Sequence, residues 1–123
     1  REQLRSTTAS SRERRAFVQE VRRLYPFFPG VLARVASEFT WRGHRFTRGA
    51  KVMLDLTSSN RDARTFVAAE SFRPARFLES DRGPYALVPQ GGGEHHRDHR
   101  CAGEWATIAV LERWLDWLLR TEH

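Results

Sequence analysis

The chain has one cysteine, Cys101, one methionine and a single lysine among its 21 basic residues. One cysteine excludes an internal disulfide and gives no sign of an oxidising compartment. A lone cysteine is most often a small buried hydrophobe, so its neighbours must supply any case for chemistry. No apolar run approaches the length of a membrane span. The opening residues, Arg1-Glu2-Gln3-Leu4-Arg5, are followed by no apolar stretch of the kind a signal peptide needs. A soluble, cytoplasmic protein without a membrane span is the expectation.

What is present is 123 residues, 40% hydrophobic and 29% charged, enough for one small domain with a modest core. The net charge of +6 rests almost wholly on arginine. The arginines are spread along the chain with acids among them, and no block reads as a basic tail. The charge is weak support for nucleic acid, and no nucleic-acid partner is expected. A non-catalytic, arginine-rich binding module stands as an alternative.

Residues 1–10 are polar and read as loop or helix remnant. Ser10 with Glu13 has the spacing of a capping box, which predicts a helix over 11–25. Phe17, Val21 and Leu24 give that helix an apolar stripe, and Pro26 stops it. A small sheet is expected over 31–56, with a strand at 31–36, a hairpin at 39–46 turning on Arg42-Gly43, and an apolar strand at 52–56. Asn60-Arg61-Asp62 reads as a cap on a short helix at 63–66. Residues 72–100 are largely irregular, with Pro74, Gly83, Pro84, Pro89 and the run Gly91-Gly92-Gly93. A structureless stretch of that length tends to be functional. A final helix over 101–120 carries Ala102, Trp105, Ile108, Leu111, Leu115 and Leu118 at helical spacing, with Trp114 and Trp117 widening the apolar face.

Three segments could carry chemistry. In Glu20-Val21-Arg22-Arg23, Glu20 and Arg23 are helix neighbours, and Glu20 falls within an apolar stripe, where a carboxylate needs a partner. An isolated pair of this kind is usually a surface pair. In Phe72-Arg73-Pro74-Ala75-Arg76-Phe77, aromatic residues anchor an irregular segment and Arg76 can complete an ion network with Glu20 and Arg23. The third segment runs from Pro89 through Gly93 to His99-Arg100-Cys101-Ala102-Gly103. Its glycines let the backbone lie flat against a planar ligand. A cysteine at the head of a helix meets free N–H groups that favour an anionic sulfur. His99 and Arg100 can donate to anionic groups. A competing reading is a zinc site from His95, His96, His99 and Cys101, but the spacing matches no standard finger or ribbon.

The ordered set resembles the cytochrome P450 superfamily: Glu-x-x-Arg on a helix, a small sheet, Phe-Arg-Pro-x-Arg-Phe, then a glycine loop running into His-Arg-Cys-Ala-Gly. The stretch from Phe17 to Pro29, the loop Pro89-Gln90-Gly91-Gly92-Gly93, and Val52-Met53-Leu54-Asp55-Leu56 followed by Asn60 look like the bacterial fatty-acid peroxygenase branch. The match spans roughly residues 12 to 120. Ala75 stands where the superfamily usually has Glu.

The resemblance implies a mainly α fold with a small antiparallel β-sheet, the C-terminal portion of the P450 fold and so incomplete. It implies haem b as cofactor, with Cys101 as the axial ligand to iron and its thiolate favouring O–O cleavage. His99 would bond a haem propionate, and Arg34 a second one. Glu20, Arg23 and Arg76 would form the structural ion network behind the haem loop. The implied activity is peroxide-dependent hydroxylation or decarboxylation of long-chain fatty acids, with hydrogen peroxide and a fatty acid as partners. A conventional monooxygenase served by a redox partner is the alternative within the superfamily. The branch's distal helix and its carboxylate-gripping arginine would precede residue 1, so no residue here takes the substrate-carboxylate role and no catalytic residue is assigned. Another chain, or a preceding half, would then cover the distal haem face.

Overall fold

The computed structural model describes residues 10–79 and 83–121. The polar stretch over 1–9 lies outside them. The elements follow in the order α1 (Ser11–Leu24), β1 (Gly30–Arg34), β2 (Phe39–Trp41), β3 (His44–Phe46), β4 (Lys51–Asp55), α2 (Leu56–Asn60), α3 (Arg76–Glu79) and α4 (Glu104–Thr121).

The capping box at the head of α1 is formed. Ser10 Oγ accepts from the Glu13 amide at 3.3 Å, and Glu13 Oε2 accepts from the Ser10 amide at 2.7 Å. These bonds satisfy two of the donors that every helix N-terminus leaves open. At the other end, Arg61 Nη2 donates to the Leu24 carbonyl at 2.9 Å. The chain then turns through Pro29, whose carbonyl accepts from the Leu56 and Thr57 amides at 3.0 and 3.1 Å. That contact ties the exit of α1 to the start of α2.

The expected single sheet is instead two separate antiparallel pairs. β1 pairs with β4, from Gly30 opposite Asp55 to Arg34 opposite Lys51. β2 and β3 form the hairpin, with Arg42 at φ 49° and Gly43 at φ 78°, as a two-residue turn matched to strand twist requires. Phe39 and Phe46 stack across it with centroids 4.8 Å apart.

Several boundaries differ from the sequence reading; the first strand, expected over 31–36, spans Gly30–Arg34. The strand expected to reach Leu56 stops at Asp55, because the Asp55 carboxylate accepts from the Ser58 amide at 2.8 Å and caps α2. No helix forms at 63–66. There, Asp62 binds both the amide and the guanidinium of Arg64, and Ala68 adopts φ 49°, so the chain runs in turns. The expected irregular stretch contains α3. The last helix begins at Glu104, not at Cys101: the Cys101 amide donates to the Gln90 carbonyl at 3.0 Å and is held out of the helix.

α1 and α4 pack antiparallel. The pairs Arg14–Asp116, Arg15–Glu112 and Arg22–Glu104 fall in reverse order along the two helices. Between them lies an apolar cluster of Val18, Ile108 and Leu115, flanked by Phe17, Leu111 and Leu119. A second cluster, Phe66, Ala69 and Leu87 with Phe77, sits under the turns after α2. The largest fully buried side chains, however, are Arg22, Arg23 and Arg76. No helix among the described residues is long and apolar enough to cross a membrane.

Ile108 is 3% exposed and joins α4 to Val18 of α1. Ile108→Ala is expected to lower stability by about 2–5 kcal/mol, read by equilibrium denaturation. A loss below about 1 kcal/mol would show that this cluster does not hold the helices together.

Candidate functional site

α1 carries the centre of the site. Its Glu20 and Arg23, one turn apart, are both fully buried. Arg23 binds Glu20 with two parallel bonds, Nε to Oε2 at 2.8 Å and Nη2 to Oε1 at 2.9 Å. Arg76, at the start of α3, approaches the same carboxylate to 3.1 Å. The Arg73 amide adds a bond to Glu20 Oε1 at 2.7 Å. Both guanidinium groups spend their remaining donors on backbone carbonyls. Arg23 reaches Asn60 and Ala69; Arg76 reaches Val67, Ala68 and Ser71. Phe66 lies beneath them, with the Arg23 guanidinium 5.1 Å from its ring centre. One carboxylate and two arginines thus replace the peptide hydrogen bonds that the turns over 61–76 cannot make among themselves. Burial opposes ionisation of Glu20, and the bonds from Arg23 and the Arg73 amide more than offset it. Its carboxyl is held below its ordinary value.

A second buried network joins α1 to the cysteine loop. Glu104, the first residue of α4, accepts from Arg22 and from Arg100. Burial again opposes the charge, but the Arg100 and Arg22 bonds prevail, and the Glu104 carboxyl falls from 4.5 to about 2. Arg22 also donates to Gln19 and, at 3.0 Å, to Gln90 Oε1. Arg100, a candidate donor to anionic groups, finds its anion in Glu104 and also donates to the Pro84 and Gly93 carbonyls. His95 Nε2 approaches Glu104 Oε2 to 2.9 Å without an aligned hydrogen bond, and its ring stacks on Trp105.

These contacts shape the loop from Pro89 to Gly103. Gly91, at φ 91°, passes so near the following turn that a Cβ there would meet the His99 carbonyl oxygen at 2.0 Å. At Gly93 a Cβ would strike the Asp98 carboxylate at 2.3 Å. That carboxylate accepts from the Glu94 amide at 2.9 Å and the Tyr85 hydroxyl at 2.8 Å. Only glycine permits this double layer of backbone. The result presents Cys101 at the surface. Its sulfur has the Gln90 side-chain amide at 3.9 Å and stands 3.7 Å from where a Cβ on Gly103 would be.

The structure brings Glu20, Arg23 and Arg76 together, and places Cys101 and His99 on one exposed loop. His99 is exposed, beside the Asp98 carboxylate. Arg34 stands apart at the end of β1, exposed, and donates to the Gly49 carbonyl at 3.0 Å; no hydrogen bond joins it to the cysteine loop. Among the described residues, no group of three or more His, Cys, Asp or Glu side chains gathers as a zinc site would need. Sequence reasoning missed Arg22, Gln90 and Glu104. A signal was present: Glu104 lies one turn before Ile108 on the α1-facing stripe, and Arg22 one turn after Val18 on the facing stripe. Opposite charges at matched buried positions imply a pair.

The cytochrome P450 family model matches residues 14–120. The chain belongs to the cytochrome P450 family. Beta-amyrin 28-monooxygenase CYP716A378 of Saponaria officinalis is 36% identical over 93 residues, 75% of this chain but 18% of that protein. Among solved P450 structures, a variant of cytochrome P450SP alpha (CYP152B1) is 46% identical with a TM-score of 0.82, covering 87% of this chain and 26% of its own. Cytochrome P450EX alpha (CYP152N1), solved with myristic acid, is 45% identical with a TM-score of 0.76, covering 81% of this chain and 25% of its own. The chain spans about a fifth of the length of the curated P450 it matches and about a quarter of these solved chains.

P450 proteins carry haem, and the donor set here fits it. One soft sulfur lies at the surface of a glycine-formed loop, with a side-chain donor beside it and a histidine two residues earlier.

Because the Glu104 carboxyl is lower in the folded protein than the ordinary 4.5, the unfolded chain takes up its proton first as pH falls. The stabilisation is complete above pH 4.5 and drains away toward about pH 2. Denaturation midpoints measured between pH 6 and pH 2 should fall along that course, with a shallower slope in Glu104→Gln. The slope should not vanish, since Glu20 titrates in the same sense. Identical slopes would place Glu104 outside the acid response.

Proposed function

We propose that this chain is the haem-ligating part of a P450 enzyme of the peroxygenase type, acting on long-chain fatty acids with hydrogen peroxide. The observation that carries the reading is the exposed Cys101 sulfur on a loop clamped to α1 by Arg22, Gln90 and Glu104. The likeness to CYP152 chains, one of them solved with myristic acid, supports the fatty-acid substrate class.

Cys101 would hold haem b, which would supply an electron-rich iron suited to O–O cleavage. The chain's own residues do the holding. Cys101 would provide the sulfur, and Gly91 and Gly93 let the loop pack closely against its own turn at His99 and Asp98. His99 would bond one propionate, and Arg34, which donates to the Gly49 carbonyl, would bond the second. The Glu20–Arg23–Arg76 network holds the turns over 61–76 against α1. The second network fixes the cysteine loop on the same helix.

A conventional monooxygenase fed by a redox partner is the second reading, favoured by the likeness to a plant monooxygenase. The arginine-rich binding module loses ground because Arg22, Arg23 and Arg76 are buried and paired.

The haem-loaded protein, reduced and treated with carbon monoxide, should show the band typical of thiolate-bound haem, and Cys101→Ala should abolish it. A histidine-type spectrum from the unaltered protein would overturn the haem-thiolate reading. With fatty acid present, hydrogen peroxide alone should support turnover; dependence on a ferredoxin and reductase would select the monooxygenase.

A further inference from the structure

We propose that Arg22 is a positioning residue that fixes the orientation of the Gln90 amide, and so decides whether the Cys101 sulfur faces a hydrogen-bond donor or an acceptor. The proposal rests on the haem-thiolate reading of Cys101.

A guanidinium has five N–H donors and no acceptor. Arg22 is 2% exposed and its Nη2 lies 3.0 Å from Gln90 Oε1. The Gln90 oxygen must therefore face Arg22, and the NH2 must face the other way. On that side lie Thr107 Oγ1 at 3.2 Å and Cys101 Sγ at 3.9 Å. An amide rotated by half a turn would set its NH2 against a cation and its oxygen against the sulfur. Arg22 disfavours that orientation at the first contact, and an anionic sulfur would disfavour it at the second.

Arg22 is itself held on both sides. Glu104 binds the same Nη2, and Gln19, one turn back on α1, binds Nη1. The clamp is therefore built on the two helices, α1 and α4, whose packing positions the cysteine loop. The loop adds a backbone tie of its own, since the Cys101 amide donates to the Gln90 carbonyl at 3.0 Å. Gln90 thus meets Cys101 twice, once through its main chain and once through its side chain. Only the second contact depends on Arg22.

Hydrogen bonds to a ligating sulfur withdraw electron density and raise the reduction potential of the metal. Removing the donor makes the sulfur a stronger donor to iron. Gln90→Leu, which leaves Arg22 paired with Glu104, should move the ferric/ferrous potential to a more negative value and raise the iron–sulfur stretching frequency seen by resonance Raman. Arg22→Lys keeps a cation for Glu104 but has a shorter head group and loses the separate Nη1 bond to Gln19 that helps aim Nη2 at Gln90. It should shift both readouts the same way by a smaller amount. In the double variant, Arg22→Lys should add nothing to Gln90→Leu, because its effect passes through the amide.

The outcomes separate the two layers of the argument. A histidine-type carbonyl spectrum in the unaltered protein sinks the haem-thiolate reading and this proposal with it. A thiolate spectrum with an unmoved potential and stretch in Gln90→Leu overturns the proposal alone. Additive shifts in the double variant also overturn it, since Arg22 would then act by a route other than Gln90. So does an Arg22→Lys protein that cannot hold haem while Gln90→Leu can, because Arg22 would then serve the fold rather than the amide.

Discussion

The segment depends on the cost of burying charge. Arg22, Arg23 and Arg76 are its largest fully buried side chains, and two carboxylates, Glu20 and Glu104, compensate them. A buried ion pair adds little net stability over a well-packed apolar pair, but removing one partner costs about 3–5 kcal/mol because the other is left uncompensated. Such a network penalises wrong arrangements more than it rewards the right one. That suits a region made mostly of turns, where apolar packing alone would leave many near-equal conformations. The Glu20 network satisfies carbonyls at Asn60, Val67, Ala68, Ala69 and Ser71, all in turns or at a helix end. Those peptides have no ladder or helix of their own to join.

The division of labour between the two networks follows from geometry along α1. Glu20 and Arg23 point toward the turns after α2 and toward α3. Arg22, on another face, points toward Gln90 and the start of α4. Glu-x-x-Arg therefore organises one side of the helix, and the intervening Arg22 organises the other. A single short helix holds both the scaffold and the cysteine loop, so a displacement of α1 would be felt at Cys101 through Gln90 and Glu104.

Much of this was legible in the sequence, and the parts that were not share a cause. The capping box, the two-residue hairpin turn, the Glu20–Arg23–Arg76 association and the placement of Cys101 after a glycine loop all rest on local spacing or ordered motifs, and the structure has each of them. The errors arose where a side chain competes with the backbone over a few residues. Asp55 converts a strand end into a helix start, Asp62 holds a turn where a helix was expected, and Gln90 draws Cys101 out of α4. The Arg22–Glu104 pair escaped notice for a different reason: its partners lie on separate helices and are buried only because α1 packs on α4. Burial of that kind depends on tertiary packing, which residue spacing does not report.

The same physics explains why the exterior is more aromatic than the interior. On α4, Ile108 and Leu115 face α1 and are buried, whereas Trp105, Trp114 and Trp117 are all more than half exposed. Leu32, Met53 and Leu54 are likewise exposed on the β1–β4 pair. Exposed apolar surface of this extent is unfavourable in water and marks faces meant for contact. The chain covers 26% of the P450SP alpha structure it matches. A core built from arginine and glutamate is what lets the local arrangement be specified under these conditions. Ion pairs and backbone hydrogen bonds are directional and fix angles and register within the segment, while apolar contact is non-directional and leaves α4 free to present its tryptophans outward.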